Sequence, residues 1–423
     1  MNVYDSWRIA AMLDSRGMTA TTDIADADII ILNTCSVREK ATNKVFSELG
    51  RIRDTKRPDA IFGIVGCVAR EAGAKAFNRI PELNFVLGPQ SYHKLPMILD
   101  DPDTRLLNID LTGLEKFDEL PQMTTAPVVS YIPIQEGCNH CCTYCIVPFT
   151  RGREISRSYD DVVRDTITAA KTGAVEICFL GQNVNGYKYT DENGKTYRLS
   201  DLIRATAKMP EIRRIRFTSS YPTEMTDDLI QMFAVETKLL PFLNMPIQSG
   251  SPDVLRRMNR PYSLDAYLEI IDKLRAARPD IQISSDFIVG FPGETDEDFE
   301  QTLDIARRVR YINSYSFKYS PRPHTAAATM PNQIPENIKR ERLAILDNTL
   351  NEIQREFNES CVDKEFMCLC EGSDKTGRHL LYRTPYMQQC IVAKPTDKNA
   401  PTMAKIKITG ANRASLRGKI VSD

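Results

Sequence analysis

Histidine is scarce in this chain: His93, His140, His324 and His379 are the only four among 423 residues, and none sits in an HExxH or similar metal-binding arrangement. Histidine-based hydrolysis is therefore a poor fit. No apolar run approaches the roughly 18 residues that a membrane helix needs, so no membrane span is expected. The N-terminus is polar and shows no signal peptide. Cysteine, by contrast, is plentiful at eleven residues. In a non-secreted chain of this size that points to reduced thiols and metal ligation more than to disulfides, and the compartment is read as cytoplasmic. Apolar residues make up 42% and charged residues 26%, ordinary for a globular protein, and the length suits two or three domains. The net charge of −1 hides an asymmetry: residues 362–423 hold 11 Lys and Arg against 6 Asp and Glu, or +5, leaving −6 for residues 1–361. That last module is built to meet an anion.

Residues 1–105 alternate helical and strand patterns in the manner of a doubly wound α/β domain. Helices are expected over 4–16 and 37–53, and strands over 27–34, 60–66 and 84–88. In such a sheet each helix crosses between two parallel strands, yet the first helix here has no strand before it, so a first strand is expected to be missing. Residues 106–127 lack a clear period, include Pro121 and Pro127, and read as a linker. Between 128 and 358, six apolar strand candidates (128–135, 176–182, 214–220, 242–248, 282–290 and 314–319) each lead into a helical stretch. Six βα units make a partial barrel, short of eight-unit closure and open enough at its side for a large substrate. A long charged helix over 335–358 closes that domain. Residues 359–423 turn to short β-rich runs, including 366–370, 388–393 and 404–408, and read as a small antiparallel β-barrel. A basic barrel of this kind is either a nucleic-acid platform or simply a solvated surface.

The strongest chemical signal is Cys138, Cys142 and Cys145, a CxxxCxxC triad. Three thiolates in one short loop can each take one iron of a cubane [4Fe-4S] cluster and leave the fourth iron open. A structural zinc site is the alternative, and it would need a fourth ligand from His140 or Cys141. The loop follows the first strand of a βα barrel, at the C-terminal face where such folds place active sites, which favours the cluster.

Residues 128–330 resemble radical-SAM enzymes, in which CxxxCxxC holds the cluster and S-adenosylmethionine chelates the open iron. The segment from Ser285 through Asp286 and Gly290 to Glu294 is similar to that superfamily's glycine-containing fifth strand, which supports the cofactor's adenine. Gly181-Gln182-Asn183, the Arg216 to Pro222 segment with Ser219, and Pro246-Ile247-Gln248 resemble the methylthiotransferase group. Singly, such residues are commonly strand-end hydrogen bonders or helix caps. As a set at one barrel face they imply contacts to cofactor and substrate.

Cys35 and Cys67 each end a strand of the first domain, where loops of a doubly wound sheet converge. Burial as small apolar groups is their bland alternative. Their segments, Asn33 to Ala41 and Gly66 to Ala69, resemble the methylthiotransferase N-terminal domain, which carries a second [4Fe-4S] cluster on three cysteines, and together with the Gly181 segment they resemble its MiaB type. That type usually opens with a strand ending in Gly-Cys-Gln-Met-Asn. Here the third ligand would fall just before Met1, and a truncated or mis-assigned start is expected. Cys141, Cys178, Cys361, Cys368, Cys370 and Cys390 are given no role. The tail resembles a TRAM domain, a small RNA-binding barrel, in Arg383 and in Ser415 to Gly418.

The resemblance implies a tRNA methylthiotransferase that converts N6-isopentenyladenosine at tRNA position 37 to its 2-methylthio derivative. It uses two clusters and S-adenosylmethionine, whose reductive cleavage yields a 5'-deoxyadenosyl radical. The implied partners are a tRNA anticodon stem-loop and an electron donor such as flavodoxin or ferredoxin, with the chain a monomer. Two alternatives stay open: a sibling acting on threonylcarbamoyl-adenosine or a ribosomal-protein aspartate, and a non-catalytic, metal-stabilised RNA-binding protein.

Overall fold

The computed structural model describes residues 1–35, 39–111, 113–121, 126–394 and 400–421, without the side chains of residues 39–41, 43 and 118. Ser36, Val37 and Arg38 of the Asn33 to Ala41 motif thus lie outside the described residues.

An opening helix, Asn2–Ser15, precedes four parallel strands paired in chain order: Ile29–Thr34, Ile61–Gly66, Phe85–Leu87 and Leu106–Asn108. Alternation along the second strand explains the two cores. Phe62 and Ile64 face one layer with Phe46, Leu49 and Ile52, while Val65 faces the other with Ile9, Met12, Phe85 and Leu87. Gly63 has no Cβ because the Phe85 ring lies against that position. The fourth strand and a short helix, Glu115–Asp118, occupy the stretch read as a linker.

The central unit is the partial barrel. Its strands, Val129–Pro133, Glu176–Leu180, Arg214–Phe217, Phe242–Asn244, Gln282–Ser284 continuing as Asp286–Val289, and Tyr315–Lys318, follow one another in chain order. All their pairings are parallel, and an isolated bridge from Ile215 to Leu239 carries the sheet from the third strand toward the fourth. Apolar side chains of the first five strands, among them Ile132, Phe179, Ile215, Leu243, Ile283 and Phe287, are buried in one core with the surrounding helices. Helix Glu336–Ser360 packs Leu346 and Leu350 onto that core.

The C-terminal unit is a closed five-stranded barrel in the order Glu365–Ser373, His379–Arg383, Gln389–Ala393, Leu416–Ile420, Met403–Ala411. Its interior holds Cys368, Leu380, Tyr382, Cys390, Ile406 and Ile408. It docks on the N-terminal ends of the central strands. There the Arg214 guanidinium donates to the Arg383 and Thr384 carbonyls at 2.8 and 3.0 Å, and the Tyr386 hydroxyl donates to Asp280 at 3.1 Å. The N-terminal unit docks at the other end, beside the cysteine loop, where Arg322 pairs with Glu71 at 3.3 Å and Gln90 donates to the Arg151 carbonyl at 2.9 Å. No helix among the described residues is long and apolar enough to cross a membrane.

Candidate active site

The triad loop leaves the first barrel strand through Gly137, at φ +75°, where a Cβ would meet the Arg153 carbonyl. Only glycine fits that close approach. The loop is then pinned by its neighbours: Gly137 N donates to Gln182 Oε1 at 2.6 Å, Thr143 N to the Met258 carbonyl at 3.0 Å, and Ala327 N to the Thr143 carbonyl at 2.9 Å. Loops after three other strands therefore hold it. Cys138, Cys142 and Cys145 are half-buried, whereas Cys141 is exposed and turned toward the Asn139 carbonyl. Burial, reinforced by the neighbouring thiols, pushes Cys138 up to about 12 and Cys145 up to about 11, so as free thiols both are protonated at neutral pH. Among the described residues no three His, Cys, Asp or Glu side chains converge to hold a single metal ion. A cubane cluster makes a different demand, spreading its three sulfurs over three irons.

The His140 side chain is engaged by a carboxylate and a tyrosine. Its Nε2 lies 2.8 Å from Glu224 and its ring stacks on Tyr221. Glu224 in turn accepts from the Asn183 amide at 2.9 Å, which also donates to Glu154 at 3.1 Å. Burial raises the Glu154 carboxyl above its ordinary range. Reciprocal bonds of 2.8 and 2.7 Å between Asn185 and the Tyr221 backbone lock the loops after the second and third strands. Around this mouth Gln135 Nε2, Asn183 Oδ1, Ser220 Oγ and the Tyr221 hydroxyl are buried without a hydrogen-bond partner among the described residues. Each such group costs about 1–3 kcal/mol unless a bound molecule satisfies it. The donor set therefore suits a polar ligand such as S-adenosylmethionine beside a cluster.

Gly181, Gln182 and Asn183 gather at this mouth, and Gly181 is glycine because a Cβ would press on Gln135 Oε1. Ser219 and Gln248 adopt left-handed backbone, at φ 64° and 74°. Non-glycine residues rarely do so outside functional or over-determined positions. Gln248 is tied to the fifth strand through its N–H to the Asp286 carbonyl at 2.9 Å. Gly290 differs. The close approach there is made by the Lys339 stem, and its N–H donates to Glu294, which pairs with Arg342 at 2.7 Å. That end of the fifth strand is knitted to helix Glu336–Ser360.

Sequence reasoning missed Glu154, Glu224 and Arg260, which belong to no local motif. The Arg260 guanidinium lies 3.7 Å from Cys142 Sγ and packs over the Tyr221 and Tyr262 rings.

Cys35 and Cys67 follow directly on the register pair Thr34 and Gly66, at adjacent strand ends. Cys67 is buried and Cys35 half-buried. Arg151 belongs to the ionic network beside the cysteine loop. It pairs with Glu136, two residues before Cys138, at 3.0 Å, and although burial opposes its charge, Cys67, Glu136 and Asp5 together hold it well above the ordinary guanidinium range. Of the other cysteines, Cys178, Cys361, Cys368 and Cys390 are buried and Cys370 half-buried.

A parallel partial barrel with a three-cysteine loop at its mouth defines a radical-SAM-type enzyme, and residues 132–306 match the Radical SAM superfamily. Residues 1–88 match Uncharacterized protein family UPF0004. Proteins of Rickettsia canadensis and Rickettsia felis, both named tRNA-2-methylthio-N(6)-dimethylallyladenosine synthase, are each 46% identical, over 99% and 100% of this chain and 97% of their own length. The chain belongs to that synthase family. Among solved structures, the radical S-adenosylmethionine methyltransferase TsrM from Kitasatospora setae shares the fold at TM-score 0.55 and 13% identity, over 77% of this chain and 71% of that one. The cobalamin-dependent S-adenosylmethionine radical enzyme OxsB does so at TM-score 0.51 and 12% identity, over 82% and 53%.

Proposed function

We propose that this protein is a tRNA methylthiotransferase that converts N6-isopentenyladenosine at tRNA position 37 to its 2-methylthio derivative. The observation that carries the reading is the 46% identity to named synthases along essentially the whole chain. The cysteine triad at the barrel mouth supports it. When bound, a [4Fe-4S] cluster and S-adenosylmethionine supply a carbon-centred radical able to attack the inert C2 position. Cys138, Cys142 and Cys145 would hold that cluster, and Cys35 and Cys67 would give two thiolates to a second one that delivers sulfur. Asn183, Ser219 and Gln248 would orient cofactor and substrate, because such chemistry depends on holding the reacting atoms in contact.

Residues 1–105 would form the sulfur-delivering domain, 128–358 the radical-generating barrel and 359–423 a TRAM-type RNA platform. The excess of basic residues after 361 supports phosphate contacts to an anticodon stem-loop. A low-potential carrier such as flavodoxin or ferredoxin would supply electrons to a monomer in the cytoplasm, and the eleven free cysteines suit that reducing compartment.

Mass analysis of tRNA nucleosides from a strain lacking the gene tests this reading. Loss of the methylthio group from isopentenyladenosine is expected; an unchanged nucleoside profile would sink it.

A further inference from the structure

We propose that Arg260 is the buried counter-cation of the cluster held by Cys138, Cys142 and Cys145, and that it raises the potential at which this cluster accepts an electron. The inference rests on the cluster reading of those three cysteines.

Arg260 is only 6% exposed, yet it has no carboxylate within ion-pair distance among the described residues. Most other buried arginines do: Arg151 pairs with Glu136, Arg157 with Asp165, Arg216 with Glu176 and Arg342 with Glu294. Arg8, like Arg260, has a set of neutral partners, the Tyr4 hydroxyl and the Phe117 and Leu120 carbonyls, but without a thiol among them. The Arg260 partners are neutral. Its Nε donates to the Tyr262 hydroxyl at 2.5 Å, Nη2 to the Pro246 carbonyl at 2.7 Å and Nη1 to the Tyr144 hydroxyl at 3.2 Å. The Tyr221 and Tyr262 rings lie 4.6 and 5.2 Å from the guanidinium carbon. Among the described residues the thiol that Arg260 touches is Cys142, whose Sγ lies 3.7 Å from Nη1.

A cation taken out of water without a counter-charge is strongly unfavourable. Neighbouring hydroxyls and rings orient this one but do not neutralise it. A cubane cluster on three thiolates is net anionic and gains one more negative charge when a reductant passes it a single electron. A fixed cation beside it in a poorly screened site therefore favours the reduced form over the oxidised form. The fork geometry explains why arginine serves here: three of its nitrogens are held by three partners, so the charge cannot swing away from Cys142.

The test uses the full chain carrying Cys35→Ala and Cys67→Ala, reconstituted anaerobically with iron and sulfide so that only one cluster is observed. Its midpoint is read by electron paramagnetic resonance during a mediated titration with dithionite. Arg260→Gln should lower the ratio of reduced to oxidised cluster at fixed potential by about tenfold or more, which is ~59 mV for one electron. Arg260→Lys and Tyr144→Phe, which keep a cation, should titrate close to the parent. An Arg260→Gln protein with full iron and the parent midpoint overturns the proposal. If Arg260→Gln cannot hold iron, Arg260→Lys decides: full iron at the parent midpoint supports the role of charge, and loss of iron there too refutes it. A parent that binds no cluster sinks the reading of the three cysteines instead, and this proposal with it.

Discussion

The rings of His140 and Tyr221 lie parallel, with centroids 3.6 Å apart and planes 7° from each other. The Arg260 guanidinium packs against the same tyrosine, and Glu224 holds the imidazole at 2.8 Å. Tyr221 is thus fixed in place while its hydroxyl is buried and unpartnered. Tyr221→Phe removes no internal hydrogen bond and relieves a buried unsatisfied hydroxyl, so the melting midpoint should hold or rise by a few °C, whereas kcat/KM should fall about tenfold if the hydroxyl meets the ligand, a loss of ~1.4 kcal/mol. Paired thermal melts and steady-state assays check this. A variant equal to the parent in both would assign the hydroxyl no role.

Asp5, Lys116, Glu136 and Arg151 form a buried ionic network between the N-terminal unit and the cysteine loop. Burial alone would push the Asp5 carboxyl up, but Lys116, Arg151 and the Tyr92 hydroxyl outweigh it and hold it below its ordinary range. A depressed folded value means the stabilisation is complete above the unfolded value of about 4 and is lost as pH falls through the folded one. Asp5→Asn should therefore cost about 3–5 kcal/mol at pH 7, because it leaves cations under-compensated. Denaturation followed against pH should show parent and variant converging below about pH 4. A constant gap across that range would contradict the assignment.

Glu71 and Arg322 tie the unit that carries Cys67 to the barrel mouth, with side chains only 15% and 7% exposed. Glu71→Arg sets two cations against each other there. Formation of 5'-deoxyadenosine should persist within about twofold, while the methylthiolated nucleoside falls by up to ~100-fold, the penalty for a small misplacement of reacting groups. Quantifying both products in one reaction separates the effects. Equal losses would mean that this contact supports the barrel itself.

Lys407 and Lys419 are register partners across two strands of the C-terminal barrel, with Lys405 two residues along. All three are exposed or nearly so, and the pairs of Lys405 with Glu365 and Lys407 with Asp363 are at the surface, where they stabilise little. Replacing all three by Gln should weaken tRNA binding and flatten the slope of log affinity against log salt by ~2 to 3, at roughly 0.7–0.9 for each phosphate no longer neutralised. Filter binding across a salt series measures it. An unchanged slope would place the RNA on another face.

Much of the architecture is legible in the sequence because it is written in local periods. The parallel strands read as apolar-rich segments, so five of the six barrel strands and the first three strands of the first sheet stand within a few residues of expectation, and helix Glu336–Ser360 follows its charged period. The fifth barrel strand is broken at Ser285, whose hydroxyl accepts from Ile247 N at 2.9 Å, a tertiary contact without a local signature. Leu106–Asn108 is three residues long amid polar sequence, and Leu416–Ile420 alternates Leu, Arg, Gly and Lys, so neither presents an apolar run. The site divides in the same way. The cysteines are found from spacing, whereas Arg260 is 118 residues from Cys142 and acts only after the fourth-strand loop folds over it.

Anaerobic reaction of the iron-loaded protein with S-adenosylmethionine, dithionite and tRNA containing isopentenyladenosine tests the central claim most directly, with nucleosides and 5'-deoxyadenosine followed by mass spectrometry. The parent should form 5'-deoxyadenosine together with the 2-methylthio nucleoside. Cys142→Ala should form neither, and Cys178→Ala, whose thiol is buried in a strand away from the triad and pushed up to about 11, should form both. A fully iron-loaded parent that makes no 5'-deoxyadenosine, or a Cys142→Ala variant that still makes it, would contradict the account.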